Sequence, residues 1–172
     1  MDRIIPGVIN DAIITLNGGD EIVGAYKLTP PDMNLKTEEM SGLGLSNYEE
    51  VIDSLYESMT TVISFTGLTK NVGIGSGKTF NLVAIAAIQG TDPDTGETSY
   101  RKVVHTVRGK VKTRKNGEIT RGGKSEPELE IATTYYKHEI DGVVMDELNV
   151  FSRVAIINGE DIRAGINQIL GV

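Results

Sequence analysis

Leu129-Glu-Ile-Ala-Thr-Thr-Tyr-Tyr-Lys-His-Glu-Ile-Asp-Gly-Val-Val144 carries the fold class of this chain. Leu129 to Ile140 is rich in strand-forming residues. Because alternate side chains of a strand share a face, Ile131, Thr133 and Tyr135 are expected together on one side. Asp141-Gly142 interrupts the run and Val143 to Val154 returns. Asp-Gly between two such runs is among the best short-range hairpin signals, since both residues tolerate the positive φ of a tight turn.

On the N-terminal side of this stretch, Tyr100 to Arg114 alternates in the same way. Val103, Val107 and Val111 fall on one face, and Lys102, Arg108, Lys110 and Lys112 on the other. Asn116-Gly117 ends that run with another turn signal. Phe80 to Ile88 reads as a strand, closed by Asp92-Pro-Asp-Thr-Gly96. Val8 to Leu16 runs to a turn at Asn17-Gly-Gly-Asp20, and Glu21 to Leu28 returns as a second strand. Pro30-Pro31 stops it, because proline cannot donate to a ladder. At the end of the chain Asn158 is a fitting N-cap for a helix, with Glu160 and Asp161 at the positive end of its dipole. Ile162, Ile166, Ile169 and Leu170 form its apolar stripe, and Gly171 stops it. Tyr48 to Met59 has helical apolar spacing, so a short helix or turn is expected there, leading into a strand over about Ser58–Phe65. The class is therefore mainly β, a sandwich or barrel, with one short C-terminal helix.

Length and composition bound the rest. The 172 residues suffice for one domain, 1–172, carrying at most an arm. The absence of cysteine removes disulfides, thiolate zinc sites and cysteine nucleophiles together. The two histidines, His105 and His138, argue against a histidine-rich metal site. No apolar run approaches the roughly 18 residues of a membrane span, and Met1-Asp-Arg-Ile-Ile-Pro6 has no apolar signal core. Neither membrane anchoring nor secretory targeting is expected. Net charge is −7, yet residues 101–124 hold nine Lys or Arg and a single acid, Glu118. Such a dipolar chain has either a plain solvated strand face or a basic patch that docks on an acidic patch of another copy.

Several motifs resemble chemistry and fail on detail. Gly73-Ile-Gly-Ser-Gly77-Lys78-Thr79 looks like a phosphate loop, but the position that needs the first glycine is Val72. A strand-like segment follows it where a helix N-terminus is required. Asp92, Asp94 and Gly96 suggest a calcium loop, but its twelfth position is Val103 in place of glutamate. Glu38-Glu39 and Glu49-Glu50 read as a solvated acidic loop, and the histidines as packed or surface side chains. No enzyme emerges, and no cofactor or metal is expected. Leu35 to Glu50 is too long for a simple turn, and long excursions of this kind are functional or disordered.

Thr106-Val-Arg-Gly-Lys-Val111, followed by the Leu129–Val144 stretch, resembles the major tail tube protein family of contractile-tailed phages. Ile156-Ile-Asn-Gly-Glu-Asp161 and the helix to Leu170-Gly171 are similar to that family's C-terminus. Leu28-Thr-Pro-Pro, Leu35-Lys-Thr-Glu-Glu-Met40 and Ser41-Gly-Leu-Gly44 are similar to its first hairpin and long loop. The similarity runs along essentially the whole chain, and is least around Lys70–Lys78.

The resemblance implies a β-barrel-like subunit whose sheets join between copies into homo-hexameric rings. The rings stack into a rigid tube inside a contractile sheath, and the tube delivers the phage genome through its lumen. Implied partners are further copies of the chain, the tail sheath protein, and the tape measure, baseplate and tail-terminator proteins, with DNA only in transit. The implied location is the virion, after assembly in the host cytoplasm. On this reading the excursion at about 35–50 is an inter-ring loop, with Lys36, Thr37, Glu38, Glu39, Tyr48, Glu49 and Glu50 as contact residues. The Lys102/Arg108/Lys110/Lys112 face docks on a neighbouring subunit or the sheath, and acidic or neutral side chains line the bore. Three other readings compete. One is the tube of a DNA-free contractile device, which genome context separates; the second is a nucleic-acid-binding β-barrel using the 101–124 patch, which a gel shift tests. The third is an enzyme built around the Gly73–Thr79 loop, which a nucleotide-binding titration of Lys78→Ala against wild type tests.

Overall fold

The computed structural model describes residues 4–22, 24–73 and 77–172. The strands are β1 (Ile5–Leu16), β2 (Asp20–Glu21), β3 (Ala25–Thr29), β4 (Leu35–Gly42), β5 (Leu45–Tyr56), β6 (Met59–Phe65), β7 (Phe80–Thr91), β8 (Thr98–Lys115), β9 (Glu128–Ile140), β10 (Val143–Asn149), β11 (Val154–Ile157) and β12 (Glu160–Asp161). A 3-10 turn spans Lys70–Gly73, and one helix, α1 (Ala164–Leu170), follows the strands. Ten strands form one antiparallel sheet in the order β12-β11-β10-β9-β8-β7-β1-β2, with β6 on β9 and β3 on β6. β4 and β5 form a separate two-stranded sheet. The mainly β reading with a short terminal helix holds, and the sheets are open rather than closed into a barrel.

β9 decides how the large sheet folds over. Its residues Glu128–Thr133 pair with β6, and its residues from Tyr135 onward pair with β10 along the same edge. Between these two halves Thr134 has no opposite residue in β8, where Arg108 faces Tyr135 and Gly109 faces Thr133. An extra residue of this kind bends and twists a strand. A Cβ at Gly109 would collide with the Ala132 carbonyl oxygen, so only glycine fits the bend. Ile63, Phe65, Leu82, Val107, Leu129 and Ile131, each at most 2% exposed, pack in the core that results.

That bulge corrects one expectation. Ile131 and Thr133 share one face as expected, the buried one, but the inserted residue reverses the alternation beyond it. Tyr136, at 4% exposed, takes the core position, and Tyr135 turns to the outer face. On β8 the alternation survives: Val103 and Val107 are buried and Val111 packs on the core, while Lys102, Arg108, Lys110 and Lys112 are exposed.

Four further elements differ from expectation. The strand predicted over Glu21–Leu28 is two strands, one on β1 and one on β6. The chain turns the corner at Gly24, whose φ is 90°. The long loop expected at Leu35–Glu50 and the helix expected at Tyr48–Met59 are the β4–β5 hairpin, turned at Leu43-Gly44. The Tyr48/Val51/Ile52/Leu55 stripe has helical spacing, but a helix this short needs a core to pack on, and β4 offers a ladder instead. The return strand from Val143 stops at Asn149, whose Oδ1 accepts from the Phe151 amide at 3.0 Å, and resumes as β11. At the C-terminus Asn158-Gly159, with φ of 51° and 78°, is a hairpin turn that pairs Ile157 with Glu160. The helix therefore begins only at Ala164, with Arg163 at its N-cap.

Candidate functional site

The β4–β5 hairpin projects as an arm. From Leu35 to Asp53 every position but Leu35 itself is exposed, on both faces. Met40, Tyr48, Val51 and Leu55 are each more than 40% exposed, and Leu43 at the tip is fully so. The register sets Glu38 against Glu50 and Glu39 against Glu49. Neighbours on a strand point to opposite faces, so each face carries one carboxylate pair. Like charges directly opposite one another destabilise a ladder, and a lone two-stranded hairpin is marginal in water. Glu49 gains one local partner, the Thr37 hydroxyl at 2.5 Å. Of the residues predicted for the inter-ring loop, Lys36, Thr37, Glu38, Glu39, Tyr48, Glu49 and Glu50 are thus brought together on this one element.

The arm's root has its own geometry. Leu35 pairs with Tyr56 and Thr37 with Val51, so Ile52–Leu55 bulge opposite Lys36 alone. Ser54 sits in this bulge, buried, with φ of 61°. Left-handed backbone at a non-glycine residue stores strain.

The predicted docking face on β8 is real as a face but only partly free. Arg108 Nε donates to Asn81 Oδ1 at 2.8 Å, and its guanidinium lies 5.1 Å from the Tyr135 ring centroid. The Tyr135 hydroxyl donates to Glu147 Oε1 at 2.9 Å, and burial and then this bond push its pKa up to about 12. Lys112 Nζ donates to Thr60 Oγ1 at 2.7 Å. Lys110 and Lys102 remain as exposed ammonium groups. Farther along, Lys115 bridges Glu128 and Glu130, at 3.1 Å each. The patch that looks uniformly basic in sequence is partly neutralised by its own sheet, which weakens it as a nucleic-acid surface.

The two histidines are cross-strand partners, a pairing not foreseen from the sequence. His105 faces His138 in register, with rings stacked at 4.6 Å. His138 Nδ1 is 3.1 Å from Asp146 Oδ2, and His105 Nδ1 is 3.0 Å from the Tyr136 hydroxyl. Burial, helped by His138 and opposed by Asp146, lowers the His105 pKa to about 4. Burial and the Asp146 charge raise Tyr136 to about 12. The Asp141-Gly142 turn folds β10 back along β9 and brings Asp146 to His138, whereas the His105–His138 pairing is set by the β8–β9 register and has no such local signal.

The phosphate-loop-like segment includes residues 74–76, which lie outside the described residues. Among the described residues no group of three or more histidine and carboxylate side chains is placed to hold a metal. Asp92 Oδ1 accepts from the amides of Asp94 and Thr95, at 2.8 and 3.2 Å, which is a turn's own bonding. What stands out is an uncovered arm, a half-occupied basic face and open strand edges, along β1 above all. No curated protein matches the chain. The family model for phage tail tube protein FII matches residues 6–171.

Proposed function

The chain belongs to the phage tail tube protein FII family, and on that premise we propose that it builds a tail tube of stacked homo-hexameric rings inside a contractile sheath, the conduit for the phage genome. The family is a structural one, and its members are virion components that self-assemble. Beyond that, the reading rests on the arm. A hairpin exposed on both faces, with apolar side chains and opposed carboxylates, is stable only against another surface. In a tube that surface is the adjacent ring, while the β8 face, with Lys102 and Lys110 exposed and Arg108 and Lys112 beside them, meets a neighbouring subunit or the sheath.

Ring closure follows from the open edges. β1 pairs with β7 on one side and with β2 only at Thr15 and Leu16 on the other. Ile5, Val8, Ile9 and Ile13 along it are each more than 40% exposed. An edge of this length invites pairing with another chain, and edge-to-edge joining within the ring satisfies it. Sheath, tape measure, baseplate and terminator proteins would meet the finished tube, assembled in the host cytoplasm. The bore would present acidic or neutral groups, because a wall that neutralised phosphates would retard DNA.

Negative-stain microscopy of the purified protein tests the reading: hollow rods or annuli are expected, and small globules at all concentrations would refute it. Deleting residues 36–50 should leave folded subunits that cannot lengthen. Normal rods from that variant would remove the arm's role.

A further inference from the structure

A cavity of about 120 Å3 lies beside the root of the arm. Met59, Leu148 and Ala155, each at most 4% exposed, form its apolar floor. Arg153 and Arg163 line it as well, and Glu57 is the one acid among the described residues of its walls. Neither arginine forms an ion pair among the described residues, and Arg163 Nε is buried with no hydrogen-bond partner. Leaving a buried guanidinium N–H unpaired is costly. One helical turn further, Asn167 Oδ1 is likewise buried and unpartnered. Asn167 lies outside the cavity's lining, so the site itself offers an unpaired donor, positive charge and an aliphatic-sized hole.

The far end of the arm has the complementary character. Leu43 is 108% exposed and Leu45 is 62%. Behind them stand Glu38, Glu39, Glu49 and Glu50. The tip is an apolar knob on an acidic stalk. A cavity of roughly 150 Å3 admits benzene, so this one fits a single leucine side chain.

We propose that the arm tip of one copy seats in the root cavity of the next copy along the tube, with Leu43 on the apolar floor and the arm's carboxylates toward Arg153 and Arg163. This rests on the tube reading above and specifies its ring-to-ring contact. The occupant is another copy, because the tip stands about 27 Å from its own root at strand rise. A tip-to-root contact joins unlike surfaces and leaves free tips at one end of the stack and free cavities at the other. Contacts of that kind propagate along an axis without closing. The bulge at Ile52–Leu55, with Ser54 in it, places a bend where the arm meets the cavity.

The test compares wild type with Leu43→Asp by sedimentation and microscopy at matched concentrations. The Leu43 side chain is fully exposed in the subunit, so the variant should fold with an unchanged circular dichroism spectrum. It should need at least tenfold more protein to form rods. Rods of wild-type length at wild-type concentration would overturn the contact and leave the tube reading standing. A wild type that never polymerises would overturn both. A second arm uses the cysteine-free background. Tubes formed under reduction from a Leu43→Cys, Val150→Cys double variant and then oxidised should give a ladder of linked subunits on a denaturing gel. Oxidised tubes that run as monomers would refute the contact.

Discussion

β5 and β7 are both twelve residues long and live in opposite environments. β7 sends Phe80, Leu82 and Ala84 into the core, and its neighbours on both sides hold it across nearly its whole length. β5 has one neighbour and exposes all but two of its residues. Pattern explains much of the contrast. β7 alternates small and large apolar groups against a wide sheet. β5 carries glutamates at two adjacent positions, so neither of its faces can be dry. The sheet body holds the buried core of the subunit, and the arm is left uncovered.

The largest effect on this division should come from a change in the body. Ile131 is fully buried where β9 lies between β6 and β8. Ile131→Ala should lower unfolding free energy by about 2–5 kcal/mol in a denaturant titration. A loss below about 1 kcal/mol would mean that the body is not the stable unit.

A smaller effect should appear with pH, again in the body. Burial lowers the His105 pKa from the ordinary 6.5 to about 4. The unfolded chain then takes up the proton first. Above pH 6.5 the neutral ring contributes its full stability; the contribution falls as pH drops through the window and is gone below about 4. The groups facing the ring are His138, Tyr136 and Asp146, with Tyr56 close enough to Asp146 to feel its charge. A tenfold difference in proton affinity between the folded and unfolded chain is worth about 1.4 kcal/mol. The loss is therefore roughly 3 kcal/mol at most, and water around the half-buried ring brings it below that ceiling. Denaturation from pH 7 to 4 should show His105→Gln flatter than wild type in that interval. Parallel curves would show that the ring does not titrate against the fold.

The smallest effect belongs to the arm. Glu50→Lys turns the Glu38 pairing from repulsive to attractive, worth about 0.2–1 kcal/mol locally. Global stability should not move, while arm amides should exchange a few-fold more slowly in isolated subunits. On the proposed arm contact, the same change should weaken ring stacking by removing a carboxylate from the arm. Unchanged exchange would mean that the carboxylates are not opposed in solution.

Much of this is legible in particular residues. Asp141-Gly142 sits at the β9–β10 turn with φ of 50° and 82°, as two residues of that type require. Val103 and Val107 are inside, and Lys102 and Lys110 outside, because the alternation of β8 runs unbroken through Arg108 and resumes in phase at Gly109. Where sequence and structure part, the cause is pairing at a distance. Strict alternation carried across Thr134 puts Tyr135 inward, and the bulge turns it out. Asn158 is both a good N-cap and a good hairpin residue, so local chemistry starts the C-terminal helix too early. The apolar spacing of the β4–β5 arm suits a helix until there is no core for that helix to cover. The His105–His138–Asp146 cluster escapes simple register counting because the bulge at Met145 shifts β10 by one residue.

The class, most turn positions and the acidic and basic segments came from the amino-acid order alone, because alternation, turn chemistry and charge are local. Where the alternation reverses, which strand β9 pairs with at each end, and which apolar residues stay uncovered were settled only in three dimensions. Those outcomes depend on backbone pairing between residues far apart in the chain, and a single inserted residue in one strand turns every side chain beyond it to the other face.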